Sequence, residues 1–550
     1  MAYNAVAAAP FSGGLNLRDS YEVMQPTQAY DLLNVTFDER GGVRQRPGFS
    51  AFAPKSGSPL VIGDATNRFD SMAPYYTTGG TKQLVCGAGS RLEVYDTTGA
   101  IVGSALTSGV TASPHYFVRF GGPTKTVMYV ANGTDQLRQW DGSGWSLPTI
   151  LPASTGVTPT GRFVAVTPWD NRVVCANYAP GSPSVGGKNR STVRFSDPSV
   201  PDTWESFNWV DVTPGDGEQI MGVTAFDNYV IVFKETKFFV FYGTSINPED
   251  GTPEFSYRAV DASVGLAAPQ ALCVAPDGVY FLSQDGIYKT NGGYPQRVSE
   301  LVEPLFDGES PDLYSGSVIN WSASSKIRMA YLNKQVFVAV PTGGATENDR
   351  LLVFDIPDQW WTVWDIPAAA LTAFKVGAFP EIVFAYSAAD SGNYKRIGRI
   401  EDALENDAAL KSGDDGVIYS FIKTAFNDFG STIHKTVRES KVWGTGSIRF
   451  ALSDDFGSSN SVSEVPLSPG MQKWSDGSDS SDTWGDGTGS DLWAKGVANK
   501  ARLVRKGVRG AYVGIELYNS AVSPGAWRVS RVIHHLREQR VPSVTRLDGE

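Results

Sequence analysis

Between residues 75 and 400 the chain keeps returning to one pattern: a short run rich in Val, Phe, Tyr and Ile, a Gly, Asn or Asp turn, and another such run. Each pair reads as a β-hairpin, because β-branched and aromatic residues suit a pleated strand and Gly, Asn and Asp tolerate the backbone angles of tight turns. Residues 82–95 (KQLVCGAGSRLEVY) are such a pair, with Gly87 to Ser90 as the turn. Residues 126–140 (TVMYVANGTDQLRQW) are another, with Asn132-Gly133 expected to carry positive φ angles. NYVIVFKETKFFVFYG, GVYFLSQDGIYKTNGG, and KQVFVAVP followed by RLLVFDIPDQWWTVWDI continue the series. Strands recurring at short intervals with almost no helical period favour radial repetition over one very large sandwich. A β-propeller of roughly six or seven irregular blades, at about 40–50 residues each, fits the length. No recurring GH and WD pair marks a WD40 array.

Near Glu401 the pattern gives way to IEDALENDAALKSGDDG, a polar segment read as a linker over 401–416. Beyond it, Val417 to Phe426, Lys435 to Trp443, Ser447 to Leu452, Ala511 to Tyr518 and Trp527 to Leu536 read as strands of a C-terminal β-sandwich. The expected organisation is all-β: an N-terminal extended arm and assembly segment over 1–60, the propeller over 61–400, the linker, and a sandwich with a flexible acidic loop over 417–550.

The formal net charge of −11 argues against a protein that grips nucleic-acid backbones, which takes clustered Lys and Arg. Cys86, Cys175 and Cys273 lie far apart, and four histidines complete the set of soft ligands, so neither a zinc site nor a disulfide framework is indicated. No basic region precedes the short N-terminal Ala run, and no stretch approaches the roughly 18 apolar residues that cross a bilayer. The expectation is a soluble chain folded in a cytoplasm.

The opening segment GGLNLRDSYEVMQPTQAYDLLNVTFDERGGVRQRPGF, Gly13 to Phe49, is the most informative motif. Two glycines start it, and Pro26 is expected to begin a short helical segment through Ala29 and Leu33. Asn34-Val35 then leads into a strand that turns at Gly41-Gly42, and Arg44 and Arg46 precede Pro47-Gly48. This succession resembles the N-terminus of tail nozzle proteins of short-tailed bacteriophages, with their Gly-Gly opening, Gly turn and basic "RPG" or "KRP" close. Similar openings occur in other minor tail proteins. YYTTGGTKQLVCGAGSRLEVYDTTG, Tyr75 to Gly99, looks like that family's first propeller hairpin. The resemblance covers roughly a fifth of the chain, and beyond it the likeness is architectural.

The resemblance implies a structural virion protein: a homo-oligomer, in that family a hexameric ring closing the distal tail, through which genomic DNA leaves without specific binding. Adaptor, tail tube or tail fibre proteins would be its partners. An adhesin-like minor tail protein at the tip of a long-tailed phage, binding a host surface polymer, is the alternative. Read physically, Arg40, Arg44 and Arg46 beside Pro47 form a charged arm able to fork onto a neighbour's carboxylates, against the plainer reading of a solvated cluster.

The acidic tract SDGSDSSDTWGDGTGSD lacks the ligand order of an EF-hand and reads as a solvated loop. The following stretch from Lys495 to Arg540 is basic, with Arg502, Arg505 and Lys506 as candidate assembly contacts. Trp140, Trp145, Trp204, Trp209, Trp360, Trp361 and Trp364 read as packing between blades rather than as sugar platforms. No GxSxG, HExxH or GxxxxGK[ST] is present. No enzyme activity, metal or cofactor is expected, and a propeller glycosidase with two unrecognised carboxylates is the third reading. Of His534-His535, only one can be buried on a strand. Acidic loops such as Pro214 to Gln219 and Gly243 to Glu254 would repel DNA if they lined its path.

Overall fold

A computed structural model describes residues 4–7, 11–53, 69–148, 163–178, 190–243, 255–387, 397–454, 459–467, 500–520 and 525–538, apart from short internal stretches at 22, 112–113, 123–124, 203, 205–207, 261, 403, 408–415, 431–432 and 511. The chain divides into two compact units, Pro47–Gly416 and a second built from Met1–Arg46 together with Val417–Glu550.

The first unit is a seven-bladed β-propeller. Blade one holds Phe69–Tyr76, Lys82–Ala88 and Arg91–Asp96. Its fourth position is filled by an irregular stretch, where Leu92 and Leu106 exchange backbone hydrogen bonds and Val102 N donates to Val94 O. Blades two to six are four-stranded and antiparallel, with inner strands Tyr116–Gly121, Phe163–Trp169, Gly222–Phe226, Leu272–Ala275 and Arg328–Leu332. Blade seven takes Ala368–Phe374, Glu381–Tyr386 and Ile397–Glu401 from the end of the unit, and its outermost strand, Gly48–Ala53, from the beginning. Phe49 pairs with Ile400 and Gly48 with Glu401, so backbone hydrogen bonds close the ring between its two ends. The reading of 1–60 as a separate arm is therefore corrected: its last strand is part of the propeller.

Neighbouring blades cover both faces of each sheet, which explains the unbroken apolar runs: all six residues of Gly278–Ser283 are buried, as are four of five in Tyr229–Phe233. The expected tryptophans act here. Trp140, Trp204, Trp360, Trp361 and Trp364 are buried, and Trp145 and Trp209 half-buried. The Trp140 indole N–H donates from blade two to Gln83 Oε1 of blade one at 2.8 Å, and that of Trp361 in blade six to the Val298 carbonyl at 3.0 Å. Such a side chain removes roughly 200 Å² from water, about 5 kcal/mol by transfer arithmetic before entropy is charged. In the turn of residues 132–135 only Gly133 has a positive φ, of 74°; Asn132 instead accepts from the Thr134 and Asp135 amides through its side chain.

The second unit has two antiparallel sheets. One contains Val35–Phe37, Val43–Gln45, Arg528–Glu538, Lys435–Thr445 and Lys500–Gly510, with Asn4–Ala7 also paired to Arg528–Glu538. The other runs Ala29–Leu33, Phe421–Thr424, Gly514–Asn519, Ser447–Ser453 and Ser459–Pro466. The helix expected after Pro26 is a strand. Ala29–Leu33 pairs with Phe421–Thr424, and buried Asp31 holds Lys423 Nζ at 2.7 Å across that pairing. Local pattern was overridden by a partner almost 400 positions away. Among the described residues of 402–407 there is no helix: Gly48 N donates to the Leu404 carbonyl and Asp407 N to that of Gly416.

Candidate functional site

Four antiparallel strands return the chain to the axis running the same way in every blade, so all seven inner strands begin at one end of the ring. They enclose a cavity of about 500 Å³. Met72, Val118, Val166, Val223, Leu272, Met329 and Leu371, one from each blade, give its walls an apolar share. Its polar residues include Ser71, His115, Tyr116, Gln270 and Arg328 where the inner strands begin, and Thr167, Thr224, Tyr331 and Thr372 further along them.

Two hydrogen bonds tie this end across blades that are not neighbours. Gln270 Nε2, from blade five, donates to the His115 carbonyl of blade two at 2.8 Å. Arg328 Nε, from blade six, donates to the Asp70 carbonyl of blade one at 3.3 Å. Arg328 is buried, and its Nη1 reaches the carbonyls of Ser325 and Ile327 at 2.7 and 3.0 Å. The Ser71 hydroxyl donates to Asp70 at 2.6 Å and accepts from the His115 amide at 3.1 Å. Burial pushes the Asp70 carboxyl up to about 6, against the Ser71 hydrogen bond and the Arg328 charge, and pushes His115 down to about 4. Burial likewise raises the Tyr116 phenol and lowers Arg328. A concave site that combines apolar walls with convergent polar groups of shifted pKa is an arrangement small ligands use. Among the described residues, no group of three His, Cys, Asp or Glu is placed to hold a metal ion.

The candidate assembly residues are not gathered together. Arg40 and Arg44 are exposed, but Arg46 and Pro47 are buried within the chain. Arg46 Nε donates to Asn34 Oδ1 at 2.8 Å, and Asn34, at a φ of 55°, donates onward to the Tyr419 carbonyl at 2.8 Å. Gly48 follows because no side chain fits: a Cβ there would lie 2.2 Å from the Asn406 carbonyl oxygen. The "RPG" close is thus a packed corner, and Arg46 is corrected from an outward contact to an internal one. Arg502, Arg505 and Lys506 lie on the strand Lys500–Gly510, and their side chains fall outside the described residues. Within the same basic stretch, Arg528 pairs with Asp38 and Arg531 lies 5.7 Å over the Trp443 ring. The acidic tract 475–491 is outside the described residues.

The acidic loop 214–219 does not present free charge. Asp216 holds buried Lys234 at 2.8 Å and Lys237 at 2.9 Å, and Glu218 accepts from Thr236. That overturns its reading as a DNA-repelling rim; most of the other loop, 244–254, is outside the described residues. His534 is buried with Nδ1 2.8 Å from Ser440 Oγ, while His535 is half-buried. Sequence reasoning missed Arg328 and Gln270. An arginine at the head of an apolar strand, in KIRMAY, is the one signal it could have used.

No protein-family profile matches the chain, and no curated protein does. Among solved structures, the WD40 domain of Neurospora crassa Pan2 is similar at 8% identity and a TM-score of 0.35, over 67% of this chain and 98% of that one. The propeller assignment stands on the sheet order and register above.

Proposed function

We propose that this protein is a structural subunit of a bacteriophage tail, a nozzle-like component that assembles as a ring around the path of the ejected DNA and performs no catalysis. The observation that carries the reading is the place of the Gly13 to Phe49 segment, whose pattern resembles the openings of nozzle proteins. It supplies strands to both sheets of the second unit, packs Arg46 on Asn34, and delivers the strand that closes the propeller.

The DNA path in this reading runs between copies of the chain. The axial cavity holds about 500 Å³ and is crossed by the 2.8 Å bond from Gln270, whereas a duplex has a major groove alone about 12 Å wide. With the carboxylates of loop 214–219 paired internally, weak DNA affinity rests on the overall charge of −11. Negative-stain microscopy of the protein mixed with phage connector proteins tests the assembly, with six-fold rings expected. Particles that stay monomeric at high concentration would sink it, and binding to host surface polymer without rings would favour the adhesin alternative.

A further inference from the structure

We propose that the axial cavity binds a small organic carboxylate, with its charged end at Arg328 and Tyr116 and its apolar body along the inner strands. The argument starts from the charge. Arg328 is buried, and its Nε and Nη1 are spent on the neutral carbonyls of Asp70, Ser325 and Ile327. Its Nη2 has no hydrogen-bond partner among the described residues. Asp70 and Glu347 act on the guanidinium through space and neither forms an ion pair with it; Glu347 pairs with Lys326 at 3.2 Å. A buried cation satisfied only by neutral acceptors is costly, and an anion seated on its open face supplies the missing interaction.

The Tyr116 hydroxyl is the second donor. It has no hydrogen-bond partner among the described residues, and Tyr116 lines the same cavity as Arg328. One guanidinium nitrogen and one phenol match the two oxygens of a carboxylate. Past this end each blade contributes an apolar residue to the walls, among them Met72, Val118 and Leu371, interleaved with Thr167, Thr224 and Thr372. A bare inorganic anion leaves that surface wet, whereas an alkyl or aryl body covers it. The volume of about 500 Å³ lies within the range of small-molecule sites.

The test uses the full-length protein and three probes, octanoate, octanol and inorganic phosphate, read by titration calorimetry and by the shift in unfolding temperature. Octanoate is expected to bind at one site per chain, about tenfold or more tighter than octanol, with phosphate weaker than both. Tyr116→Phe, which keeps the ring and its packing, should weaken octanoate about tenfold and leave octanol unchanged. Arg328→Met should erase the preference for octanoate over octanol. Where that variant fails to fold, Tyr116→Phe decides alone. Equal binding of octanoate and octanol, no octanoate binding at millimolar concentration, octanoate binding indifferent to Tyr116→Phe, or phosphate binding as tight as octanoate would each overturn the proposal.

Discussion

Replacing Asp216 with alanine should be among the most damaging single changes on the surface of the propeller. Lys234 is buried, and its ammonium meets both Asp216 oxygens at 2.9 and 2.8 Å, the Ser191 and Thr213 hydroxyls at 3.1 and 3.2 Å, and the Thr213 carbonyl at 3.1 Å. Asp216→Ala keeps the neutral partners and removes the only carboxylate in contact with that ammonium among the described residues. Stranding a buried charge costs about 3–5 kcal/mol. Because the Asp216 side chain is 18% exposed and water can enter once it is gone, the lower end, about 3 kcal/mol, is expected. Lys237 touches the same carboxylate at 2.9 Å but is 33% exposed, so Lys237→Ala should cost no more than about 1 kcal/mol. The contrast between the two variants, read by urea unfolding at pH 7 with circular dichroism and tryptophan fluorescence, isolates burial from charge count. Burial alone would raise the Asp216 carboxyl, but hydrogen bonds from Lys234 and Lys237 outweigh it and hold it far below the usual carboxylate range. A depressed folded pKa contributes stability that is present above about pH 4 and lost as pH falls further, so the gap between wild type and Asp216→Ala should shrink there. An Asp216→Ala cost no larger than that of Lys237→Ala would refute the reasoning.

His534 should make the second unit acid-sensitive. Burial, then the neighbouring His535, pushes it down to about 4, so the unfolded chain binds the proton first, and stability falls as pH drops from about 6.5 towards 4, by about 3 kcal/mol in all. His534→Asn should flatten the loss of urea midpoint between pH 7 and 4.5. Asp70 has the opposite sign: its folded pKa of about 6 makes the ionised form a burden at neutral pH, and Asp70→Asn should stabilise by about 1–2 kcal/mol at pH 7 and by nothing near pH 4, read from the same curves. Gly48→Ala drives a methyl into the Asn406 backbone and should lower stability by about 1–3 kcal/mol; an unchanged melting temperature would show that this corner gives way freely. Deleting 1–46 removes strands from both sheets of the second unit, and residues 417–538 should then be digested rapidly by protease while the propeller resists.

The all-β class and most strands were legible because their causes are local. Runs such as YVIVF and FFVFY, broken by residues that tolerate turns, can be little else than paired strands, and the length of the repeat pointed to a propeller. Asn34-Val35, the Gly41-Gly42 turn and the burial of one of two adjacent histidines were likewise visible from spacing alone. What stayed hidden depends on partners distant in the chain. AYDLL reads as helix until Phe421–Thr424 lies beside it and Lys423 meets Asp31. Arg46 looks like an outward charge until Asn34 is known to face it, and nothing near Gly48 in the sequence announces that Asn406 lies against it. The number of blades is set by ring closure, which the strand Gly48–Ala53 completes from the far end of the unit. Arg328, Gln270 and Tyr116 belong to three blades and are separated by more than fifty residues at each step, so no spacing in the sequence announces that they share one end of a cavity. Hydrophobic pattern records which face of a strand is buried; only the closed ring decides which strands stand opposite one another across its axis.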